Sequence, residues 1–368
     1  MDKTPESRLP YSLLITFEFL KVVLFLYGFL ISITLMGAAF KAHKQVAETL
    51  IVATNNPFIG LVIGIVVTSL IQSSSTTTSI IVTMVGAGTL PLTNAIPMVM
   101  GANIGTTVTN TIVSFGYAGR RTEFERSFGA SIVHDMFNIY ATCILFPLEI
   151  YFHFIEISAT KLETIFEGFG GLDFVSPLKV LVNPVADPIA NFLPNPYLLL
   201  IVALAGLFYT MKGIVDNMRG IVMEKVENVL NIYLFRNAAI SLLFGMIFTA
   251  IVQSSSIATS ILIPIVGAGL LSIEQIFPYT LGANIGTTIT AMLAALTIAM
   301  PAALTVALAH LLFNIFGILI IYPIKIVPIW TARTIAAYVS RSKKHFIIFA
   351  GIYILLHVVP IVFAFIHG

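Results

Sequence analysis

No Asp, Glu, Lys, Arg or His occurs in the 71 residues from 49 through 119, and from 237 through 309 the only one is Glu274. Stretches this long without charge cannot face water on all sides. Soluble chains carry about 25% charged residues, whereas 10% of these 368 residues are charged and 58% are hydrophobic. A soluble enzyme is excluded. Apolar runs of about 20 residues recur, each long enough to cross a hydrocarbon core as a helix that satisfies its own backbone. The short alternating strands of a membrane barrel do not occur. The expected class is an all-α polytopic membrane protein with the lipid bilayer as its surroundings. A scattered net charge of +2 gives no footprint for a nucleic acid. The single cysteine, Cys143, excludes an intramolecular disulfide and a thiolate metal site, and its apolar run predicts a buried thiol. The first ten residues are polar with no small-residue cleavage site after them, so the N-terminus reads as retained.

The chain is duplicated. Residues 64–116 align without a gap onto 245–297, in three blocks. Gln72-Ser73-Ser74-Ser75 with Thr78-Ser79-Ile80 matches Gln253-Ser254-Ser255-Ser256 with Thr259-Ser260-Ile261. Val85-Gly86-Ala87-Gly88 matches Val266-Gly267-Ala268-Gly269. Gly101-Ala102-Asn103-Ile104-Gly105-Thr106-Thr107 matches Gly282 through Thr288, and beyond a five-residue deletion His134, Asn138 and Pro147 match His310, Asn314 and Pro323.

Each copy reads alike. Repeat 1 (1–154) begins with a span at about 11–40; the apolar stretch 57–71 then reaches only about 22 Å at 1.5 Å per residue, short of a core of about 30 Å. A second short stretch, 76–90, follows the polar block, so a re-entrant helical hairpin is expected at about 57–90. A longer span, about 92–118, contains GANIGTT, whose two glycines predict an unwound, broken transmembrane helix. A span at about 127–154 closes the unit. Residues 155–196 form a connector. Repeat 2 (197–327) starts with a span at about 197–216, with its hairpin at about 237–271 and its broken helix at about 275–297. Residues 328–368 hold a cytoplasmic segment and a last span, about 345–366.

Counting crossings makes the two repeats inverted in topology. Fourteen Lys and Arg residues fall on the side of the N-terminus, among them Arg120, Arg121, Lys212 and Lys344, against Lys41, Lys44, Lys161 and Lys179 on the other. The positive-inside rule then makes the N-terminus cytoplasmic and the 155–196 connector extracytoplasmic, in a cell (inner or plasma) membrane.

The polar residues shared by both copies are hydroxyls and carboxamides. Hydroxyls and free N–H groups at helix N-termini suit oxyanions. Side-chain amides, Thr hydroxyls and carbonyls of unwound helix are hard oxygen ligands for Na⁺. Gln72, Gln253, Asn103, Asn284 and the Thr pairs Thr106-Thr107 and Thr287-Thr288 supply them, and no transition metal or organic cofactor is expected. A desolvated multivalent anion needs co-bound cations to enter a membrane midplane. Proton coupling would call for an intramembrane carboxylate or His chain, absent from the signature stretches. The expected activity is cation-coupled anion transport.

At these residues the chain resembles the type II sodium–phosphate cotransporter family, in QSSSTTTSI and QSSSIATSI, in both GANIGTT segments and in GRRTEFERSFGASIVHDMFN at 119–138. The resemblance implies Na⁺-driven secondary transport of inorganic phosphate by alternating access, the substrate and Na⁺ being the partners. Carried over by position, Gln72, Ser73, Ser74, Ser75, Thr76 and Thr77 would line the phosphate site from one side, and Gln253, Ser254, Ser255 and Ser256 from the other. Sodium would use Gln72, Thr78, Asn103, Thr106, Thr107, Gln253, Thr259, Asn284, Thr287 and Thr288. A homodimer is left open.

The chain also departs from the family. The disulfide-bearing outer loop of animal members is absent from 155–196, no PhoU-like helical extension follows, and Ile257-Ala258 replaces Thr76-Thr77. An alternative reading is a Na⁺-coupled carrier of another oxyanion such as sulfate. A serine hydrolase would need one activated Ser with its own base, whereas these serines come as duplicated triplets. His134-x-x-x-Asn138 and His310-x-x-x-Asn314 each share a helix face and are expected to bond between helices, with support of the site-lining residues from behind or pH sensing as the other reading.

Overall fold

The computed structural model describes residues 11–42, 56–168, 177–229, 235–353 and 355. Within them the secondary structure is helical, with no strand. Among the described residues five helices are long and apolar enough to cross a membrane, within Phe17–Ala42, Arg121–Phe152, Pro196–Asn217, Ile273–Ile298 and Pro301–Ile321. Large apolar side chains lie on the outside, Leu24 at 65% exposure and Ile201 at 63%, an arrangement that lipid tolerates and water does not. The protein is an all-α polytopic membrane protein.

In chain order, α1 is Tyr11–Ala42, α2 Pro57–Ile71, α3 Ser74–Gly86, α4 Leu92–Gly105, α5 Val108–Phe115 and α6 Arg121–Phe152. The described parts of 155–196 are helical as well, in α7 (Phe154–Gly168) and α8 (Pro177–Phe192). Then come α9 (Pro196–Val229), α10 (Ala238–Val252), α11 (Ser255–Ser260), α12 (Leu262–Gly267), α13 (Ile273–Ile298), α14 (Pro301–Ile321) and α15 (Ile326–Val339). Of the last expected span, 345–353 is helical, while 354 and 356–366 lie outside the described residues, as do Lys44 and residues 1–10.

Equivalent residues start equivalent helices. Asn56 caps α2 by accepting from the Phe58 N–H at 2.9 Å, and Asn237 caps α10 by accepting from Ala239 N–H at 2.9 Å. Asn is among the best residues for this, because its carbonyl oxygen meets a donor that has no partner within the helix. α2 packs along α4, and α10 along α13.

Two expectations about this framework are corrected. The first copy of GANIGTT ends a helix, with Thr106 and Thr107 between α4 and α5, but the second copy lies inside an unbroken α13. The glycines make the same contacts in both copies, so they do not by themselves break a helix. A Cβ on Gly101 would meet the Leu61 carbonyl oxygen, and one on Gly282 the Leu242 carbonyl oxygen. Gly105 and Gly286 likewise face the backbones of α2 and α10, at Ile65 O and Met246 O. Spaced by four, the two glycines of each segment form one stripe that lets two helix backbones touch, so they serve packing rather than unwinding. Cys143, expected to be buried, is exposed. α6 turns His134, Phe137, Asn138, Ala141, Thr142 and Leu145 inward, and this register puts position 143 on the opposite face.

Candidate functional site: the paired Q-S-S-S tips

The two tips have the same backbone. Gln72 ends α2 in the left-handed region at φ 55°, Gln253 ends α10 at φ 58°, and each N–H bonds a Thr carbonyl, Thr68 or Thr249, at 2.7 Å. Ser73 and Ser254 follow in extended conformation, and their Oγ atoms accept from Thr76 N–H at 3.2 Å and Ile257 N–H at 3.3 Å. Glycine is the usual residue for a left-handed helix end, and a side chain there costs about 1–2 kcal/mol. Glutamine at this position in both copies points to a use for its amide.

Those amides differ. The Gln253 Oε1 accepts from Thr290 Oγ1 at 2.5 Å and its Nε2 donates to the Ala250 carbonyl. The Gln72 side chain is exposed and bonds no described residue, and the Oγ1 of Thr109, the counterpart of Thr290, is buried without a partner among them.

Between the tips lies a cavity of about 390 Å³, lined by Gln72, Ser73, Thr76 and Thr109 from one copy and Ser254, Ser256 and Ile257 from the other, with α9 completing the wall. Liquid water occupies about 30 Å³ per molecule, so the space takes a tetrahedral anion together with companion ions or waters.

Direct bonds hold the copies together around this space. Ser75 Oγ donates to the Gln253 carbonyl at 3.3 Å, Ser256 Oγ to the Thr106 carbonyl at 3.3 Å, and Asn110 Nδ2 to Thr259 Oγ1 at 2.7 Å. A buried amide chain lies behind them. His134 Nε2 and Asn284 Oδ1 are 2.7 Å apart, Asn284 Nδ2 donates to Asn138 Oδ1 at 2.8 Å, and Asn138 Nδ2 donates to the Asn103 carbonyl at 2.9 Å.

The structure thus sorts the expected residues. Gln72, Ser73, Thr76, Ser254 and Ser256 line the cavity, whereas Gln253, next to Ser254 in the chain, is not among its lining residues and turns its amide to Thr290 and Ala250. Ser74, Ser75, Thr77, Thr78, Ser255 and Thr259 are buried at the starts of α3 and α11. Asn103 turns its amide to Val99 O at 3.1 Å. The hydroxyls of Thr106, Thr107, Thr287 and Thr288 donate to carbonyls of their own helices, at Ala102, Ile104, Ala283 and Ile285. A hydroxyl with its proton so committed presents only lone pairs, the form a cation needs.

Four features escaped the sequence reading. Thr109 and Thr290 are themselves a duplicated pair, so the repeat alignment held their signal. Lys212 stood out as a charge within an apolar span, yet was counted only for orientation. Thr68 and Thr249, again equivalent, are fully buried and both keep an unpartnered hydroxyl oxygen. Asp135 is 3% exposed with one carboxylate oxygen unpaired. The signature stretches hold no carboxylate or histidine at their tips, but folding carries His134, with Asp135 beside it, onto the second signature segment.

A helical membrane chain whose two copies bring hydroxyls and an amide to one cavity has the architecture of a transporter rather than an enzyme. The profile of the Na⁺/Pi-cotransporter family matches residues 24–174 and 207–322, and the chain belongs to this family. It is 32% identical to sodium-dependent phosphate transport protein 2A of Rattus norvegicus over 441 aligned positions, covering 96% of this chain and 69% of that protein. The match to protein 2A of Ovis aries is 32%, over 90% of this chain and 64% of the relative, and to protein 2B of Homo sapiens 31%, over 88% and 62%. The chain thus spans about two thirds of the length of these relatives. No solved structure matches it.

Proposed function

We propose that the protein carries inorganic phosphate across a cell membrane by Na⁺-coupled alternating access, binding the anion between the two Q-S-S-S tips. The observation that carries this reading is the cavity at which Gln72 and Ser73 of one copy meet Ser254 and Ser256 of the other. The relatives' names give sodium dependence and phosphate as cargo, and the neutral lining fits an anion accompanied by cations. Sodium would bind at the oxygens of Gln72, Gln253, Thr78, Thr259, Asn103, Asn284 and the two Thr pairs, with no organic cofactor.

The two copies act as inverted repeats with the N-terminus in the cytoplasm and 155–196 outside. The asymmetry of the copies supports alternation. His134 and Asn284 are bonded, whereas His310, the counterpart of His134, is fully buried with neither ring nitrogen partnered. Likewise Gln253 is tied down while Gln72 is open. Inverted repeats that exchange conformations would form the missing pairs, His310 with Asn103 and Gln72 with Thr109, in the opposite-facing state.

The test is labelled phosphate uptake into proteoliposomes with competing anions. Arsenate, which shares the shape and protonation pattern of phosphate, should compete at concentrations where sulfate does not. Sulfate competing more strongly than phosphate itself would transfer the assignment to a sulfate carrier.

A further inference from the structure

The helix that completes the cavity wall contributes Phe208, Met211, Lys212 and Val215. Their spacing of i, i+3, i+4 and i+7 places all four on one face of α9. Lys212 is the one charged side chain lining the cavity, and it makes no ion pair or hydrogen bond with any described residue. It lies five residues before the C-terminal end of the apolar span Pro196–Asn217, towards the side that the basic residues mark as cytoplasmic. A cation within such a span is costly against lipid and generally faces water or a ligand instead.

We propose that Lys212 is a phosphate-contacting residue that draws the anion into the cavity and raises its affinity there. The inference rests on the reading of this cavity as the phosphate site. The tips contribute only neutral dipoles, so an anion held by them alone depends wholly on co-bound cations for charge. An ammonium carries three donors on a flexible stem and reaches phosphate oxygens as a point charge. Its exposure into the cavity lets the chain arm follow the anion without ordering the tips, so the effect falls on phosphate binding and not on the Na⁺ sites.

The experiment uses full-length protein in proteoliposomes on a Cys143→Ser background. Lys212→Gln should raise the KM for phosphate about three- to tenfold, the scale of a charge-assisted contact discounted for its solvation. Maximal rate and the Na⁺ concentration for half-activation should stay within about twofold, and Lys212→Arg should keep KM near wild type. Lys212→Cys treated with aminoethyl methanethiosulfonate, which restores an ammonium, should recover the wild-type KM, and phosphate should slow that modification. A wild-type protein that transports phosphate while Lys212→Gln keeps its KM, or while modification of Lys212→Cys ignores phosphate, overturns the role of Lys212. A lysine reaching out to headgroups would give that second result. Wild-type protein that moves no phosphate overturns the functional reading itself, and this inference with it.

Discussion

His134 and Asn284 stand 2.7 Å apart, Nε2 to Oδ1, in a bond that ties the closing span of the first copy to the signature segment of the second. Both residues are buried, at 0% and 2% exposure, so neither has water as an alternative partner. His310 and Asn103, at the equivalent positions, make no such bond: the His310 ring is unpartnered and the Asn103 amide turns to its own helix.

This asymmetry predicts unequal costs for equivalent substitutions. His134→Ala leaves the Asn284 carbonyl oxygen without its partner, a loss of about 1–3 kcal/mol beyond the packing lost with the ring. His310→Ala loses packing alone. Thermal unfolding in detergent should therefore show His134→Ala lower in Tm than His310→Ala. Equal midpoints would mean that the bond contributes nothing to the folded state.

The glycine stripes predict where the fold is least tolerant. In Gly282→Ala the new methyl would meet the Leu242 backbone, which cannot move aside as a side chain can. The substitution should cost at least about 2 kcal/mol, as overpacking of a close contact does. Gly119→Ala, with nothing within 4 Å of the added carbon, is the matched control and should unfold like wild type. Normal yield and stability of Gly282→Ala would show that α10 and α13 do not need their close approach.

These residues also mark how far the sequence is readable. The Q-S-S-S tips stand out because a polar block recurs at one point of a duplicated apolar chain. The glycines of GANIGTT were visible but ambiguous, because a residue without a side chain permits unwinding and close packing alike. Only the neighbouring helix decides between them. The outward register of Cys143 depends on the rotation of α6, which its weakly amphipathic sequence does not define. The meeting of Lys212 with the tips depends on the packing of α9, which no local pattern encodes.

The coupling ion is predicted from the lining. Among the described residues no carboxylate or histidine lines the tip cavity, so phosphate uptake should require Na⁺, and a pH gradient with choline in place of Na⁺ should drive none. Full uptake under the pH gradient would move the coupling to the buried His134 and Asp135.

Orientation is checked by labelling single cysteines on a Cys143→Ser background, the native thiol being exposed. Asn191 and Lys344 are exposed in the structure. Asn191→Cys should react with an impermeant thiol reagent from outside, and Lys344→Cys only after the interior is opened. The reverse pattern would invert the assigned topology.

The central claim is that both copies build one site, and the most direct measurement is the phosphate transport rate of Gln72→Ala and Gln253→Ala at equal amounts of reconstituted protein. Each amide has one acceptor oxygen and two donors, those of Gln72 open to the cavity, while the oxygen and one donor of Gln253 are held by Thr290 and Ala250. Removing the Gln72 amide takes from a bound ion a contact worth about 1–3 kcal/mol, and removing that of Gln253 leaves its protein partners unpaired at a similar cost. Each single variant should lose transport as completely as the double variant, Gln253→Ala also freeing the Thr290 hydroxyl that now bonds its amide. About half the wild-type rate in each single variant would mean two independent sites, one per copy, and would contradict the shared cavity.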